Sequence, residues 1–232
     1  MFLRVRTTQA EYCDRPDLPD ADLAASYHHL GRLNRVMVVA DPFRRLLVRW
    51  LGREHVTRLT VLDLGAGDAS LGAHLEQWAA QRGWHWRVTS LDGSVRALRL
   101  GQAARRVAGN VCELPFADES FDVVMASQMT HHLTDEETVR HFREAWRVSR
   151  DVLFLTDTHR NIGSLAAIWT ILKLMGVPAQ FLSDGMISIR RGWRVPEWQR
   201  LAREAGIPNG RVSVYYGSRI FLQARKRAER AE

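Results

Sequence analysis

The chain has 232 residues, 46% of them hydrophobic, and a formal net charge of +7. That length and apolar content suit one sizeable α/β domain with a small addition, and they exclude a disordered chain. The cysteines, Cys13 and Cys112, stand in no CxxC or Cys/His spacing, so neither a disulfide framework nor a metal site is expected.

Residues 1 to 30 lack the basic start and continuous apolar run of a signal peptide. The longest apolar stretch, "IGSLAAIWTILKLMGV", is too short for a membrane span and carries Lys173. The expectation is a soluble, cytoplasmic protein with no membrane partner. Its basic residues are almost all arginines, spread along the chain and gathered weakly in "QARKRAER" near the end. Such a pattern reads as a solvated surface, and no nucleic-acid partner is expected.

In chain order, residues 17 to 37 place Leu23, Tyr27, Leu30 and Leu33 at helical spacing. "DPFRRLLVRWLG" predicts a second helix with Asp41 as N-cap, Pro42 at the first turn and Gly52 as stop. These form an N-terminal helical segment over 1–54. A domain over 55–232 follows, beginning with "RLTVLDLG", whose nearly continuous apolar run marks a strand buried on both faces. A helix with Leu71, Leu75, Trp78 and Ala79 in its stripe comes next, ended by Gly83, and "WRVTSLD" is the second strand. "SVRALRLGQAARR" reads as a helix, "VAGNV" as a short strand and "FDVVMAS" as the fourth strand. "TDEETVRHFREAWRV" opens on a capping box, Thr134 with Glu137. The fifth strand is "DVLFLTD".

Beyond residue 158 the alternation breaks. An apolar helix around Leu165 to Met175 is followed by a polar, glycine-containing stretch, "SDGMISIRRGW", and another helix from Pro196; residues 158–195 read as an inserted cap over a substrate. The close is an antiparallel hairpin around Gly217 and Ser218. The element order predicts a Rossmann-like, mostly parallel seven-stranded sheet with flanking helices.

The first strand ends in "DLGAGDAS". A strand, a glycine turn and a helix start bring free backbone N–H groups together, which suits nucleotide-like ligands. Asp63 and Asp68 bracket the turn, however, and a carboxylate about 4 Å from a phosphate repels it by roughly 4 kcal/mol at an effective dielectric near 20. A pyrophosphate fits poorly. S-adenosylmethionine has no phosphate and carries an ammonium and a sulfonium that such acids attract. Asp92, at the end of the second strand, is placed to accept both hydroxyls of an adenosine ribose.

These motifs together resemble the class I S-adenosylmethionine-dependent methyltransferases, over roughly residues 55 to 157. "VLDLGAGDAS" is similar to the family's first motif and "VTSLDGS" to its ribose-binding strand end. "GNVCELPFADESFDVVMASQMTHHL" is similar to the adenine segment and fourth strand. The resemblance implies that Gly65 and Gly67 face the methionine portion, with Asp63 beside them, that Asn110 and Val111 contact the adenine, and that Ser127 lies beside the cofactor. Three departures stand out: Ser90 replaces a usual glycine, Asn110 replaces a usual aspartate, and "RVSRDVLFL" lacks the usual Pro-Gly-Gly turn.

Methyl transfer from a sulfonium is an in-line displacement in which positioning and water exclusion supply most of the catalysis. For a phenol acceptor a histidine can take the proton. His131 and His132, where the fourth strand opens into the ligand side of such a sheet, are the candidate catalytic residues. His159 and the pair His28 and His29 fit turn and surface roles. Trp169, Met175, Phe181, Met186 and Trp193 fit either an apolar acceptor pocket or plain core.

The expected function is methylation of a small, partly apolar metabolite at a hydroxyl oxygen in bacterial specialised metabolism. The region "LGRLNRVMVVADPFRRLL" with "ISIRRGWRVPEWQRLAREAG" looks similar to bacterial methyltransferases found near polyketide-forming enzymes. Rival readings are a quinone C-methyltransferase, whose "LPF" and "HHL" strings the chain shares, an RNA or protein methyltransferase, and a non-catalytic cofactor-binding scaffold. The Asn-Pro-Pro-aromatic string of base methylation is absent after the fourth strand, where the chain reads "SQMTHHL".

Overall fold

The structure is a computed structural model and describes residues 3–52, 56–207 and 209–226. The expected boundary at 54 and 55, and the basic run beyond Lys226, lie outside the described residues. Seven strands form one sheet in the order β3-β2-β1-β4-β5-β7-β6. They are β1 (Arg58–Leu64), β2 (His85–Asp92), β3 (Arg106–Ala108), β4 (Phe121–Ser127), β5 (Ser149–Thr158), β6 (Arg211–Tyr215) and β7 (Arg219–Arg225). The first five pair in parallel, β7 runs antiparallel to β5, and β6 closes the hairpin on β7. The expected mostly parallel seven-stranded α/β sheet is the observed one.

The near-continuous apolar strands are buried on both faces. Leu62, Leu64, Val124, Leu153 and Leu155 pack against α5 (Asp135–Val148) and α8 (Val195–Glu204) through Phe142, Val148, Trp198 and Leu201. The alternate residues Val61, Val123, Met125, Val152 and Phe154 pack against Leu75 and Ala79 of α3 (Ser70–Ala80), and against Phe43, Leu47 and Leu51. The capping box at Thr134 and Glu137 is made in both directions.

Before the sheet, α1 (Asp20–Val36) is followed by a wide π-helical turn over Pro42–Leu47 and by α2 (Val48–Leu51), which Gly52 ends at φ +79°. Asp41 is not an N-cap. Its backbone is already helical, its side chain makes no capping bond, and it pairs with Arg45 one turn on at 3.1 Å.

Three further boundaries differ from the sequence reading. The helix α4 covers only Val95–Leu100; Gly101 beyond it is extended and lies so close to the Asp68 carbonyl that a Cβ there would stand 1.6 Å from its oxygen. The third strand ends at Ala108, and Asn110 only bridges to Glu113. The polar stretch after α6 (Ile162–Leu174) is helical, as α7 (Ala179–Arg191). Its Gly185 is there for close helix packing, since a Cβ would lie 2.5 Å from Leu172 Cδ1. Leu33 of α1, Ile168 and Leu172 of α6 and Ile189 of α7 form a small separate core above the sheet.

Candidate functional site

β1 and β4 are neighbours whose following connections leave toward opposite sides of the sheet, and in open α/β sheets ligands bind outside the carboxyl ends of strands at such a point. A cavity of about 1100 Å³ opens there and continues under α1, α6 and α7. Ordinary ligand pockets hold roughly 300–1,000 Å³. There is room for a cofactor and a second molecule.

One end is the glycine loop. Gly65 and Gly67 take positive φ angles, +64° and +57°, as does Ala69 at +59°. A Cβ at Gly65 would lie 2.0 Å from Met129 Cγ, and one at Gly67 2.7 Å from Tyr27 Cε1, so side chains from β4's exit and from α1 cover the loop closely. Asp92 organises it from beside: Oδ2 accepts the Gly67 N–H and Oδ1 the Ser94 N–H, each at 2.7 Å. Each oxygen keeps a lone pair for a ligand. Burial raises the Asp92 pKa, and the two N–H groups oppose the rise.

Asp63, at the end of β1, is buried, and its Oδ2 has no hydrogen-bond partner. Burial, with Asp92 and Asp68 nearby, pushes its pKa up to about 8. An orphaned carboxylate oxygen beside a glycine cradle is a place for a cationic ligand group. Ser90 stands opposite Asp63 across the β1–β2 pair, its hydroxyl also without a partner. Ser127 presents a third unpartnered buried oxygen at the end of β4.

Asp63, Gly65, Gly67, Asp92, Ser127, His131 and His132 all line this one cavity; Asn110 and Val111 do not. The Asn110 side-chain oxygen accepts the Cys112 N–H at 2.9 Å, and the Val111 carbonyl faces the His141 ring at 3.3 Å.

Past Ser127 the chain makes a short 3-10 turn over Thr130–His132. His131 is buried, with Nδ1 2.6 Å from Asp157 Oδ1 and Nε2 3.5 Å from Glu11 Oε1. Asp157 also accepts the Thr130 hydroxyl and the His131 N–H. Burial pulls the His131 pKa down, but the two carboxylates overcome it, so the ring holds its proton well above the usual histidine range. His132 is half-buried, its Nδ1 3.0 Å from Asp14 Oδ2, and Arg191 binds the same oxygen at 3.0 Å. Among the described residues these are the only imidazoles lining the cavity.

The far end is apolar, with Leu30, Leu33, Ile168, Ile171, Phe181 and Ile189 on its walls. Of the five large side chains weighed for an acceptor pocket, Phe181 lines it. Trp169 is exposed, Trp193 is fully buried in the main core under the Arg6 guanidinium, and Met175 and Met186 pack on the small upper core. The sequence reading missed Glu11, Asp14, Met129 and Asp157. Only the acidic string "EYCD" ahead of α1 hinted at the first two.

Residues 62–152 match the family model described as a methyltransferase domain. A demethylmenaquinone methyltransferase of Roseiflexus sp. (strain RS-1) is 34% identical over 95 residues, 38% of this chain and 37% of that protein. The matched part thus spans well under half of that relative's length. A SAM-dependent methyltransferase from Aquifex aeolicus superposes with a TM-score of 0.60 at 16% identity, covering 87% of this chain and 97% of that one. A plantazolicin methyltransferase in complex with a pentazolic desmethylPZN analog and SAH superposes at 0.67 with 9% identity, covering 90% and 91%. No helix of the described residues is long and apolar enough to cross a membrane.

Proposed function

We propose that this chain, which by domain and fold belongs to the class I S-adenosylmethionine-dependent methyltransferases, methylates a small, partly apolar metabolite at a hydroxyl oxygen. The observation that carries this is the continuity of the cavity. A polar end with the unpartnered Asp63 oxygen and a glycine cradle passes, at His131 and His132, into an apolar end under α6 and α7.

In this reading Asp63 and the Gly65–Gly67 loop take the charged methionine end of the cofactor and Asp92 its ribose hydroxyls. Ser127 lies beside the methyl donor. Asn110 and Val111 close on the adenine. Residues 158–195 act as the substrate cap, and the N-terminal segment over 1–54 covers the cofactor through Tyr27. The acceptor oxygen approaches the methyl carbon as the carbon–sulfur bond breaks, and catalysis comes chiefly from alignment and exclusion of water. His131 and His132 border the passage where the acceptor hydroxyl meets the methyl donor, and the acceptor proton leaves on that side.

A second reading, C-methylation of a quinone-like acceptor, is favoured by the likeness to a demethylmenaquinone methyltransferase. The two separate in one experiment: the protein is incubated with methyl-labelled S-adenosylmethionine and a panel of phenols, quinols and small acids, and the label is located by mass spectrometry. Label on oxygen supports the first reading, label on ring carbon the second, and label on no acceptor counts against both.

A further inference from the structure

Three side chains from two distant parts of the chain converge where the N-terminal segment crosses the exit of β4. Glu11, His131 and His132 each bring one ligand-type atom, and the three atoms lie within 4.8 Å of one another. The 3.5 Å between His131 Nε2 and Glu11 Oε1 is informative. Two ligands held by one zinc ion at about 2.0–2.2 Å, near the tetrahedral angle, stand roughly 3.3–3.5 Å apart. This pair already has the spacing of neighbours in a coordination shell.

The surroundings are those of metal-binding imidazoles. Each histidine has Nδ1 on a carboxylate, His131 on Asp157 at 2.6 Å and His132 on Asp14 at 3.0 Å. Such partners fix the tautomer and leave Nε2 as the free ring nitrogen. Glu11 is steadied by the Ser188 hydroxyl at 2.9 Å. With both rings neutral, Glu11, Asp14 and Asp157 carry three negative charges against Arg191, which lies 3.9 Å from Glu11 and 3.0 Å from Asp14, while Arg6, which faces Asp157, is itself paired with Asp135 at 3.2 Å. A dication balances the difference. The next carboxylate, Asp184, is taken up by the Tyr12 and Cys13 N–H groups.

We infer that Glu11, His131 and His132 bind a divalent transition-metal ion of the zinc type at the acceptor end of the cavity. Two imidazoles and one carboxylate are a set that zinc takes in sites with an open position, and here all three residues border the cavity. Binding displaces the His131 ring proton to solvent. An acceptor hydroxyl on the open position then loses its proton to solvent more readily, and its oxygen pair forms the bond to methyl as the carbon–sulfur pair leaves on sulfur. That catalytic role rests on the methyltransferase reading; the binding site does not.

The test uses the full chain, free of any purification tag and stripped with chelator. It is titrated with Zn²⁺ by calorimetry and with Co²⁺ by visible absorption. The expected result is a single tight site with the visible bands of a low-symmetry Co²⁺ complex. Glu11→Gln and His132→Ala, each checked for folding by circular dichroism, weaken it by more than the roughly 10–100-fold typical of losing an outer-shell partner, and Asp157→Asn weakens it within that range. No uptake, or equal uptake by wild type and both ligand variants, overturns the inference. S-adenosylhomocysteine binding on the same samples keeps the two readings apart. A chain that takes the metal and not this ligand keeps the metal site and loses the methyltransferase reading, and the reverse result does the opposite.

Discussion

The carboxylate of Asp92 holds the Gly67 N–H at 2.7 Å, so the residue placed for a ribose also shapes the glycine loop. Its second oxygen does the same for Ser94. Hydrogen bonds to a charged group contribute about 1.5–3 kcal/mol each, so Asp92→Ala loosens the loop before any ligand arrives. Amide exchange at Gly67 and Ser94 is expected to speed up in the ligand-free protein, and S-adenosylhomocysteine affinity to fall by one to two orders of magnitude or more. Asp92→Asn, which keeps one acceptor oxygen, loses less of both. Normal exchange at both amides in the alanine variant would falsify the organising role.

Asp63 makes cofactor binding depend on pH. Its pKa is raised from 3.8 to about 8, so in the ligand-free protein it is protonated at neutral pH while an unfolded chain has it ionised. The folded state binds the extra proton between those values, and stability therefore falls as pH rises through that window. A cationic ligand group at Oδ2 reverses the preference and expels the proton. Calorimetry at pH 7 in buffers of different ionisation enthalpy is expected to show close to one proton released per S-adenosylmethionine bound. Asp63→Asn should raise the melting temperature of the ligand-free protein at pH 8 and abolish the proton release. Proton release unchanged in that variant places the coupled group elsewhere.

Gly65 and Gly67 differ from the other glycines in having both a positive φ and a close neighbour. An added Cβ meets Met129 Cγ at 2.0 Å in one case and Tyr27 Cε1 at 2.7 Å in the other. Strain of about 1–3 kcal/mol at each backbone position adds to that crowding. Gly65→Ala is expected to disrupt cofactor binding more than Gly67→Ala, because the tyrosine reaches in from a separate helix and can swing outward. Titration with S-adenosylhomocysteine checks the order, and equal, undiminished affinities would show that the loop tolerates side chains.

The sheet and the cofactor end were legible because their signals are local. Unbroken apolar runs specify strands buried on both faces, and Asp63, Gly65 and Gly67 sit within one short string whose geometry a strand end and helix start dictate. Where legibility failed, the cause lay in contacts between distant segments. Gly185 lies in a polar stretch in which the sequence reading placed no helix, yet the glycine admits Leu172 of α6 against α7. Gly101, just past α4, lies against the Asp68 carbonyl where a Cβ would not fit, which no local pattern reveals. His131 was legible as a site residue by its place after β4. Its two carboxylates come from Glu11 and Asp157, and only the folded chain puts them on either side of the ring.

Those carboxylates predict that the two adjacent histidines fail differently when removed. His131 is buried against Asp157, and its pKa in the metal-free protein is raised from 6.5. The pair's stabilisation is therefore fully present below the unfolded value and is lost as pH rises through the raised one. His131→Ala leaves Asp157 buried without its cation and should cost roughly 3–5 kcal/mol, more at pH 6 than at high pH. His132 is half-exposed beside Asp14, and its loss should cost at most about 1 kcal/mol. Turnover on a hydroxyl acceptor should nevertheless fall about a hundredfold to ten-thousandfold in His132→Ala, the span that proton transfer contributes, with cofactor affinity near wild type. Thermal melts at two pH values alongside steady-state rates separate the cases. A His132→Ala enzyme that keeps both its melting temperature and its full rate at neutral pH removes that histidine from catalysis and leaves alignment alone to account for the rate.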